Sequence, residues 1–380
     1  MNKIHLCTLA VLTSLSFSSL AKDCDANLLP SWKDSDSKTA IVNFVEQSTD
    51  SSKATFIPVS DRIAVFDNDG TLWSEKPIYF QIAFALDQIK ALAKTHPEWK
   101  TQEPFKSVIE NDLEKVFAGG KESLLQIMKV THSGMTVEEY QQSVEQWLAA
   151  AKDKRFGKAY NDLTFKPMRE MLTYLQENNF KTYIVSGGGV DFMRVWAPEA
   201  YNIPEEQIIG SALKYEYSFN DGQPKVMKLG ELLTLDDKEV KVENIQYIIG
   251  KKPVLAVGNS DGDQAMMQWA TSQPNSMAMI VHHTDEAREW KYDRQSDVGR
   301  LDKALDEANA RDNWQLIDMK KRLVRCLLNR SAVRSPLNLR TKLEKFPTLW
   351  GIFSICTPNC FISSRSLHAS SHKMRFYSLS

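Results

Sequence analysis

Residues 62–73 read Arg62-Ile-Ala-Val-Phe-Asp67-Asn-Asp69-Gly-Thr-Leu-Trp73, and this stretch decides the fold. Its apolar run 63–66 is β-branched and aromatic, which predicts one buried strand and is too short for a helix. In a parallel α/β sheet, ligands bind just outside the carboxyl ends of the strands, where Asp67 and Asp69 would stand. A bound Mg²⁺ would relieve the repulsion between these acids, because this cation prefers carboxylate and carbonyl oxygen.

Two other interpretations of the Asp67–Asp69 pair have to be weighed. An EF-hand calcium loop would place Val65 and Lys76 where an acid and a glutamate are required, so it is disfavoured. A solvated turn stays open, because Asp-Gly is a common turn pair. The ends of the other predicted strands decide between a turn and a site.

Two further buried strands are predicted at residues 181–185 and 253–257, and each runs into polar residues. The first leads into Ser186-Gly187-Gly188-Gly189, where a hydroxyl and backbone amides can surround a phosphate. A dinucleotide loop is disfavoured because G-x-G-x-x-G is absent, whereas a simple turn stays open. The second strand leads into Gly258-Asn259-Ser260-Asp261-Gly262-Asp263. Any one of these motifs is weak, but the ordered set of three is a strong signal.

These motifs together resemble those of the haloacid dehalogenase-like (HAD) hydrolases. Phe66-Asp67-Asn-Asp69-Gly-Thr71 is similar to the first motif of that family, in the two-aspartate version of its phosphatases. Ser186 resembles the second motif, and Lys241, or alternatively Lys238, resembles the third. The stretch 258–263 resembles the fourth motif, with Asn259 where related phosphatases have Asp. The resemblance spans about residues 60 to 300.

The resemblance implies an α/β fold class, a Rossmann-like core with a central parallel sheet flanked by helices, plus an inserted α-helical cap. The core is expected over residues 22–74 and 165–320 and the cap over 75–164. The residue pattern agrees, because helical periodicity follows Trp73 for about ninety residues, with a capping box at Thr136. Alternation around Asn220-Asp221-Gly222 further predicts a hairpin over 212–229, at the sheet edge.

By the same resemblance, the protein is expected to be a Mg²⁺-dependent phosphomonoester hydrolase acting on a small phosphorylated substrate. Asp67 would be the nucleophile, and Asp69 the general acid and base. The expected phosphate-binding residues are Ser186, Gly187, Gly188 and Lys241. The expected metal ligands are Asp67, Asp69, Asn259 and Asp263, with Asp261 as a substitute for either of the last two.

Three histidines are further candidates. His132 lies between two predicted cap helices and could reach the substrate, although a histidine in such a loop is usually just solvated. His282 and His283 follow a predicted strand at 277–281, where they are more often ordinary loop residues than metal ligands.

Two alternative functions stay open. One is a phosphotransferase of the same fold, in which an alcohol replaces water at the phosphorylated intermediate. The other is an exported protein that binds metal or phosphate without turnover, which only Asn259 favours, because its amide carries less charge than the expected carboxylate.

Residues 1–21 have the pattern of a secretory signal peptide. A lysine near the start precedes an apolar, hydroxyl-rich core, and small residues lead to a predicted cleavage site after Ala21. The segment is too short and too rich in Ser and Thr for a membrane span. We therefore expect an exported, periplasmic protein with no stable membrane insertion of the mature chain.

The composition is that of an ordinary soluble globular protein until residue 320. The chain is 42% hydrophobic and 25% charged, with a net charge of −1, and no nucleic-acid partner is expected. Residues 321–380, in contrast, carry eleven Lys or Arg and one acid, Glu344. This basic tail is predicted to be a disordered arm that touches membrane or nucleic acid or, as we favour, a frameshifted or read-through segment outside the fold. Cys24 is the one cysteine in 22–320, so no disulfide is expected there.

Overall fold

The computed structural model describes residues 28–324, 326 and 327. The predicted signal peptide, Cys24 and the tail beyond residue 327 lie outside the described residues. In the described part of the chain, seven strands form one sheet. They are β1 (Ile63–Phe66), β2 (Lys181–Gly189), β3 (Ile208–Asn220), β4 (Gln223–Thr234), β5 (Leu255–Gly258), β6 (Met277–His282) and β7 (Trp314–Asp318). Their order across the sheet is β4-β3-β2-β1-β5-β6-β7.

Helices connect these strands. α1 (Asp36–Thr49) precedes β1, and six helices separate β1 from β2: α2 (Phe80–Leu92), α3 (Phe105–Ile109), α4 (Leu113–Ala118), α5 (Gly120–His132), α6 (Val137–Ala150) and α7 (Lys166–Glu177). The later helices are α8 (Val190–Arg194), α9 (Ala197–Tyr201), α10 (Glu239–Ile248), α11 (Gln264–Ala270) and α12 (Lys303–Ala310). Within the described residues, none of these helices combines the length and the apolar character that crossing a bilayer requires.

Strand β1 lies at the centre of the sheet and is buried on both faces. Ala64 and Phe66 belong to the apolar core on one face, and Ile63 and Val65 to the core on the other. β1 pairs in parallel with both β2 and β5, which is why its sequence is a continuous apolar run rather than an alternating one. This sheet confirms the predicted α/β fold class.

Helices α2 to α6 occupy the segment where the cap is predicted. Helices α2 to α5 build an apolar core of their own, in which Ile89 of α2 packs with Val108 of α3 and Ile127 of α5. The buried residues of α6, such as Val144, belong instead to the apolar core that includes Phe66 of β1.

The capping box at Thr136 is confirmed, since both of its hydrogen bonds are present at the start of α6. The helical periodicity after Trp73 is interrupted between α3 and α4, where Asn111 adopts a left-handed backbone with φ of 60°.

The predicted hairpin is confirmed and is longer than its sequence pattern indicated. β3 and β4 pair from Ala212 and Thr234 up to Asn220 and Gln223. The turn residues Asp221 and Gly222 both have positive φ, 52° and 74°, as this kind of hairpin turn requires. The hairpin also contacts the cap, because the amide of Gly134 donates to the carbonyl of Lys228 at 2.9 Å. It therefore links the sheet edge to the cap.

The ordered body continues past residue 320, where the predicted tail begins. Leu323 is fully buried, and its backbone forms a bridge with Trp32. Cys326 is buried as a free thiol, and Leu327 forms a bridge with Phe165. These described residues of the predicted tail thus pack within the core, so the boundary expected at 320 is too early. Sequence composition missed it because two or three buried side chains are enough to hold such a segment in place.

We expect Leu323→Ala to lower the free energy of unfolding by about 2–5 kcal/mol, the usual cost of truncating a buried leucine. The matched control is Val324→Ala, since Val324 is 52% exposed. Its effect should stay within about 0.5 kcal/mol, as for most surface substitutions. Urea unfolding of both variants measures the difference, and equal stability of the two would show that residue 323 does not belong to the core.

Candidate active site

The predicted site residues converge at the carboxyl ends of the central strands. Asp67 follows β1 directly, and its amide donates to the carbonyl of Val257 in β5 at 2.9 Å. Beside it lies a crevice of about 360 Å³. Its lining includes Asp67, Asp69, Glu75, Tyr79, Gln81, Ser186, Gly187, Gly188, Asp237, Lys241 and Ser260. The motifs at Asp67, Ser186 and 258–263, which are far apart in the sequence, are therefore neighbours in the fold.

Lys241 connects the three central strand ends. Its buried ammonium group donates to Oδ1 of Asp67 (2.9 Å), to the carbonyl of Val185 (2.9 Å) and to Oδ1 of Asp263 (2.6 Å). All three of its donors are thus engaged. The alternative, Lys238, is exposed at the residue before α10 and is absent from the crevice lining. Of the two candidates, the structure therefore places Lys241 at the site.

The charges around Asp67 are unbalanced. Burial raises the pKa of Asp67 well above its usual range, and the neighbouring charge of Asp263 raises it further, although Lys241 opposes both effects. Burial alone would lower the pKa of Lys241, but Asp263 and Asp67 raise it above its ordinary value, so the lysine stays charged. One ammonium group thus faces two buried carboxyl groups, which leaves this end of the crevice short of positive charge.

Asp69 lies on the other side of the crevice in an aromatic setting that the sequence analysis did not assign to the site. The indole Nε1 of Trp73 donates to Oδ1 of Asp69 at 2.6 Å, and Trp73 itself stacks on Trp196 at 4.0 Å. Burial raises the pKa of Asp69 to about 6, although the Trp73 hydrogen bond and Lys241 oppose the shift. At neutral pH this carboxyl can therefore exchange a proton more readily than an ordinary aspartate.

Asn259 has a partner that sequence reasoning missed. Its Nδ2 donates to Oε1 of Glu75 (2.9 Å), and its Oδ1 accepts from the hydroxyl of Thr71 (3.0 Å). Burial raises the pKa of Glu75 to about 7, although a hydrogen bond from the hydroxyl of Tyr292 acts to lower it. Gly70 makes this packing possible: its φ is +76°, and a Cβ there would lie 2.1 Å from Nδ2 of Asn259. The sequence offered one indication of this contact: Glu75 follows Trp73 by two residues, in a stretch that no predicted strand or helix covers.

Asp263 and Asp261, which the sequence left as alternatives, are held differently. Oδ2 of Asp263 accepts from the amides of Asn259 (2.9 Å) and Ser260 (3.0 Å), so its carboxylate organises the loop after β5. Oδ1 of Asp261 accepts from the amides of Asp302 (2.9 Å) and Ala304 (3.0 Å) at the start of α12. Asn259, Asp261 and Asp263 are all absent from the crevice lining, which the loop after β5 reaches through Ser260 and Gly262. In the described part of the chain, no group of three or more His, Cys, Asp or Glu side chains is arranged as a metal site.

The candidate phosphate-binding segment is a distorted strand rather than a loop. β2 was predicted to end at Val185, but it continues to Gly189 with a register shift against β3 between Ser186 and Gly189. Ser186 is fully buried, and its Oγ accepts from the amide of Gly188 at 3.3 Å. Gly187 and Gly188 occupy the irregular part of the strand and line the crevice. Because neither carries a side chain, their backbone can approach a ligand closely.

His132 lies beside the crevice rather than in its lining. The side-chain amide of Gln81 donates to its Nε2 at 3.0 Å, and its Nδ1 pairs with the hydroxyl of Thr131 at 2.7 Å. Burial and the charge of Lys228 lower the pKa of His132 to about 3, so its ring is neutral. Gln81 also lines the crevice and accepts from the amide of Gly189 at 2.7 Å. His132 is thus connected to the site through Gln81.

His282 and His283 are not brought into the crevice lining. His283 is buried beside the Gly70 turn, where Nε2 contacts the carbonyl of Gly70 and Nδ1 contacts Oε2 of Glu289, both at 2.8 Å. His282 is partly exposed at the end of β6. His283 therefore holds the backbone of the Gly70 turn.

One protein-family model matches more than half of the chain. Residues 64–268 match the family model described as haloacid dehalogenase-like hydrolase. None of the curated proteins is significantly similar to the chain in sequence.

Several solved structures resemble the chain at low identity. A conserved protein of unknown function from Anaerococcus prevotii is 16% identical, with a TM-score of 0.46 over 65% of this chain and 85% of that one. A phosphoserine phosphohydrolase-like protein from Francisella tularensis is 17% identical, with a TM-score of 0.31 over 58% and 87% of the two chains. A phosphoserine phosphatase from T. onnurineus is 18% identical, with a TM-score of 0.33 over 69% and 92%.

We expect Lys241→Met to lower the free energy of unfolding at neutral pH by about 3–5 kcal/mol, because Asp67 and Asp263 would lose their buried counter-ion. A carboxyl whose pKa is raised in the folded state destabilises that state at a pH above the raised pKa, and the penalty disappears as the pH falls through it. Since the pKa of Asp67 is raised, the defect should be smaller at about pH 5 than at about pH 8.

Urea unfolding at the two pH values measures this defect, with Lys238→Met as the matched control. Lys238 is exposed, so its replacement should change the stability by less than about 0.5 kcal/mol at either pH. Similar losses in both variants would contradict a central role for the Lys241 ion pairs.

Proposed function

This chain belongs to the haloacid dehalogenase-like hydrolases, and from that premise we propose that it is a Mg²⁺-dependent phosphatase of phosphate monoesters. The observation that carries the proposal is the buried carboxylate of Asp67, which lines a crevice of about 360 Å³ and lies 2.9 Å from the ammonium group of Lys241. A carboxylate in such a position is available as a nucleophile towards phosphorus.

In the first step, a carboxylate oxygen of Asp67 attacks phosphorus, and the bond between phosphorus and the ester oxygen breaks. Asp69 donates its proton to the departing alkoxide, and an aspartyl-phosphate remains on Asp67. In the second step, water attacks phosphorus while Asp69 takes up a proton from it. Inorganic phosphate leaves, and both side chains return to their starting states.

The environment of Asp69 supports these two opposite roles. A group that acts first as an acid and then as a base works best with a pKa near the working pH. Burial raises the pKa of Asp69 to about 6, and the Trp73 indole holds its Oδ1 at 2.6 Å. The Trp73 hydrogen bond therefore positions the carboxyl and limits the rise of its pKa.

The remaining groups would bind the phosphate oxygens. Ser186 offers its hydroxyl, Gly187 and Gly188 offer backbone amides, and Lys241 offers a charge beside Asp67. Phosphoryl transfer asks the protein mainly for positioning and for electrostatic stabilisation of the phosphate oxygens. Lys241 supplies both because its contacts with three strand ends hold it in place.

The residues at the crevice fit a magnesium ion on electrostatic grounds. Asp67, Asp69 and Glu75 line the crevice together with one buried lysine, and the pKa of each of these acids is raised. Asp67 and the amide oxygen of Asn259 would bind Mg²⁺ together with the carbonyl of Asp69, since this ion prefers hard oxygen donors. Asp263 would act through the loop that it organises. When bound, the ion would neutralise charge between Asp67 and the phosphate.

Asp67→Asn should lower the hydrolysis of p-nitrophenyl phosphate by at least about a thousandfold, because an amide is a far poorer nucleophile than a carboxylate. The fold should survive, since Lys241 keeps Asp263 as its partner. Asp237→Asn is the matched control, because Asp237 lines the same crevice but takes no part in the proposed steps. Turnover by Asp67→Asn comparable to that of the wild type would remove Asp67 from the nucleophilic role.

Removal of divalent ions should abolish the same activity. We expect EDTA to stop the hydrolysis of p-nitrophenyl phosphate by the wild-type protein, and added Mg²⁺ to restore it, because the carboxylates around Asp67 would otherwise repel the phosphate. Calcium at the same concentration is the control. It should restore less activity than Mg²⁺, because its metal–oxygen distances are longer and its coordination geometry is more flexible. Full activity in EDTA would refute the metal requirement, whereas binding of phosphate without any turnover would refute the phosphatase.

A further inference from the structure

A second cavity, of about 570 Å³, adjoins the active-site crevice. It lies between α5 of the cap and the β3–β4 hairpin at the sheet edge. Gln81, Leu124, Met128, Gly187 and Leu235 line both the cavity and the crevice. The two spaces therefore lie side by side, and Asp67, Asp69 and Ser186 line only the crevice.

The wall of this second cavity is largely apolar. Leu124, Leu125 and Met128 come from α5, while Leu213 and Leu232 come from the hairpin and Phe192 from α8. Leu125 and Leu232 are 41% and 42% exposed in the absence of a ligand. A bound apolar group would remove these side chains from water, which is the favourable term in binding to such a pocket.

The charged groups buried in the wall are paired with one another. The ammonium group of Lys228 forms a buried ion pair with Asp191, which also accepts from the hydroxyl of Tyr215 at 3.0 Å. His132 is neutral and is engaged by Gln81 at 3.0 Å, whereas the buried hydroxyl of Tyr140 has no hydrogen-bond partner. A charged ligand group would lose its hydration here without gaining a free buried counter-ion, which is costly.

We propose that the cavity binds the organic part of the substrate, and that the substrate class is the phosphate monoesters of apolar alkyl or aryl alcohols. This inference rests on the proposed function, because it takes the phosphate to lie beside Asp67. The shared lining lets one molecule span both spaces, with phosphate at the polar end and the hydrocarbon between α5 and the hairpin. It narrows the expected small phosphorylated substrate to one with an apolar organic group, because the wall is largely apolar and its buried charges are already paired.

The first test measures kcat/KM of the full chain with Mg²⁺ for ethyl, butyl and hexyl phosphate. Their leaving groups are all primary alkoxides, so chain length changes binding more than chemistry. We expect kcat/KM to rise about three- to fourfold for each methylene group that enters the cavity, the usual gain for burying one. The same value for all three esters would overturn the inference and leave the phosphatase intact.

Two adjacent leucines of β4 supply a matched pair of variants. Leu232 lines the cavity, whereas Leu233 does not and is 61% exposed, because neighbouring residues of a strand point to opposite faces. Leu232→Ser should lower the ratio of kcat/KM for hexyl phosphate to kcat/KM for ethyl phosphate at least about threefold. This is the change expected when one or two methylene groups of the ligand lose their apolar contact. Leu233→Ser should leave that ratio unchanged. Leu125→Ser, from the opposite wall, provides a second test if the first variant does not fold.

Calorimetric binding of ethyl- and hexylphosphonate separates this inference from the proposed function, because these analogues carry a carbon–phosphorus bond that the proposed steps cannot cleave. Tighter binding of hexylphosphonate in the wild type, reduced by Leu232→Ser and kept by Leu233→Ser, would support the cavity assignment even if no ester were hydrolysed. Equal affinity for both phosphonates would refute it even in an active phosphatase.

Discussion

The ion pairs of one buried lysine hold the active-site end of the sheet together. Lys241 contacts Asp67 after β1, the carbonyl of Val185 in β2 and Asp263 after β5, all within 2.9 Å. A buried charge is tolerated only with such partners, so the ends of three strands must keep this arrangement. The contacts of Lys241 thus fix the positions of Asp67, the candidate nucleophile, and of the loop after β5.

The same arrangement leaves the site with more negative charge than the lysine can balance. Burial raises the pKa values of Asp67, Asp69 and Glu75, which shows that each carboxylate is costly to ionise where it lies. A divalent cation bound beside Asp67 would balance this charge. The proposed substrate would then place its organic group in the apolar cavity next to Gln81.

Much of this could be predicted from the chain alone. A continuous apolar run predicts a buried parallel strand, so β1 and the convergence of Asp67, Ser186 and the 258–263 stretch at its end follow from local pattern. The predicted hairpin and the Thr136 capping box were confirmed for the same reason, since turn and capping chemistry is local. The role of Lys241 came from resemblance, and only its contacts separate it from Lys238.

Other features of the site depend on contacts between segments that are distant in the sequence, and only the tertiary structure shows them. The hydrogen bond that Trp73 donates to Asp69, the one that Asn259 donates to Glu75 and the apolar cavity beside α5 involve side chains that no local sequence pattern singles out. Leu323 likewise lies in a basic segment that composition assigns to a tail, yet it is fully buried. The local sequence pattern predicts which strands and helices form and where their polar ends lie, because these features depend on residues that are neighbours in the sequence. Packing between elements sets burial, and therefore the pKa values and the shape of the cleft, which no short stretch of sequence contains.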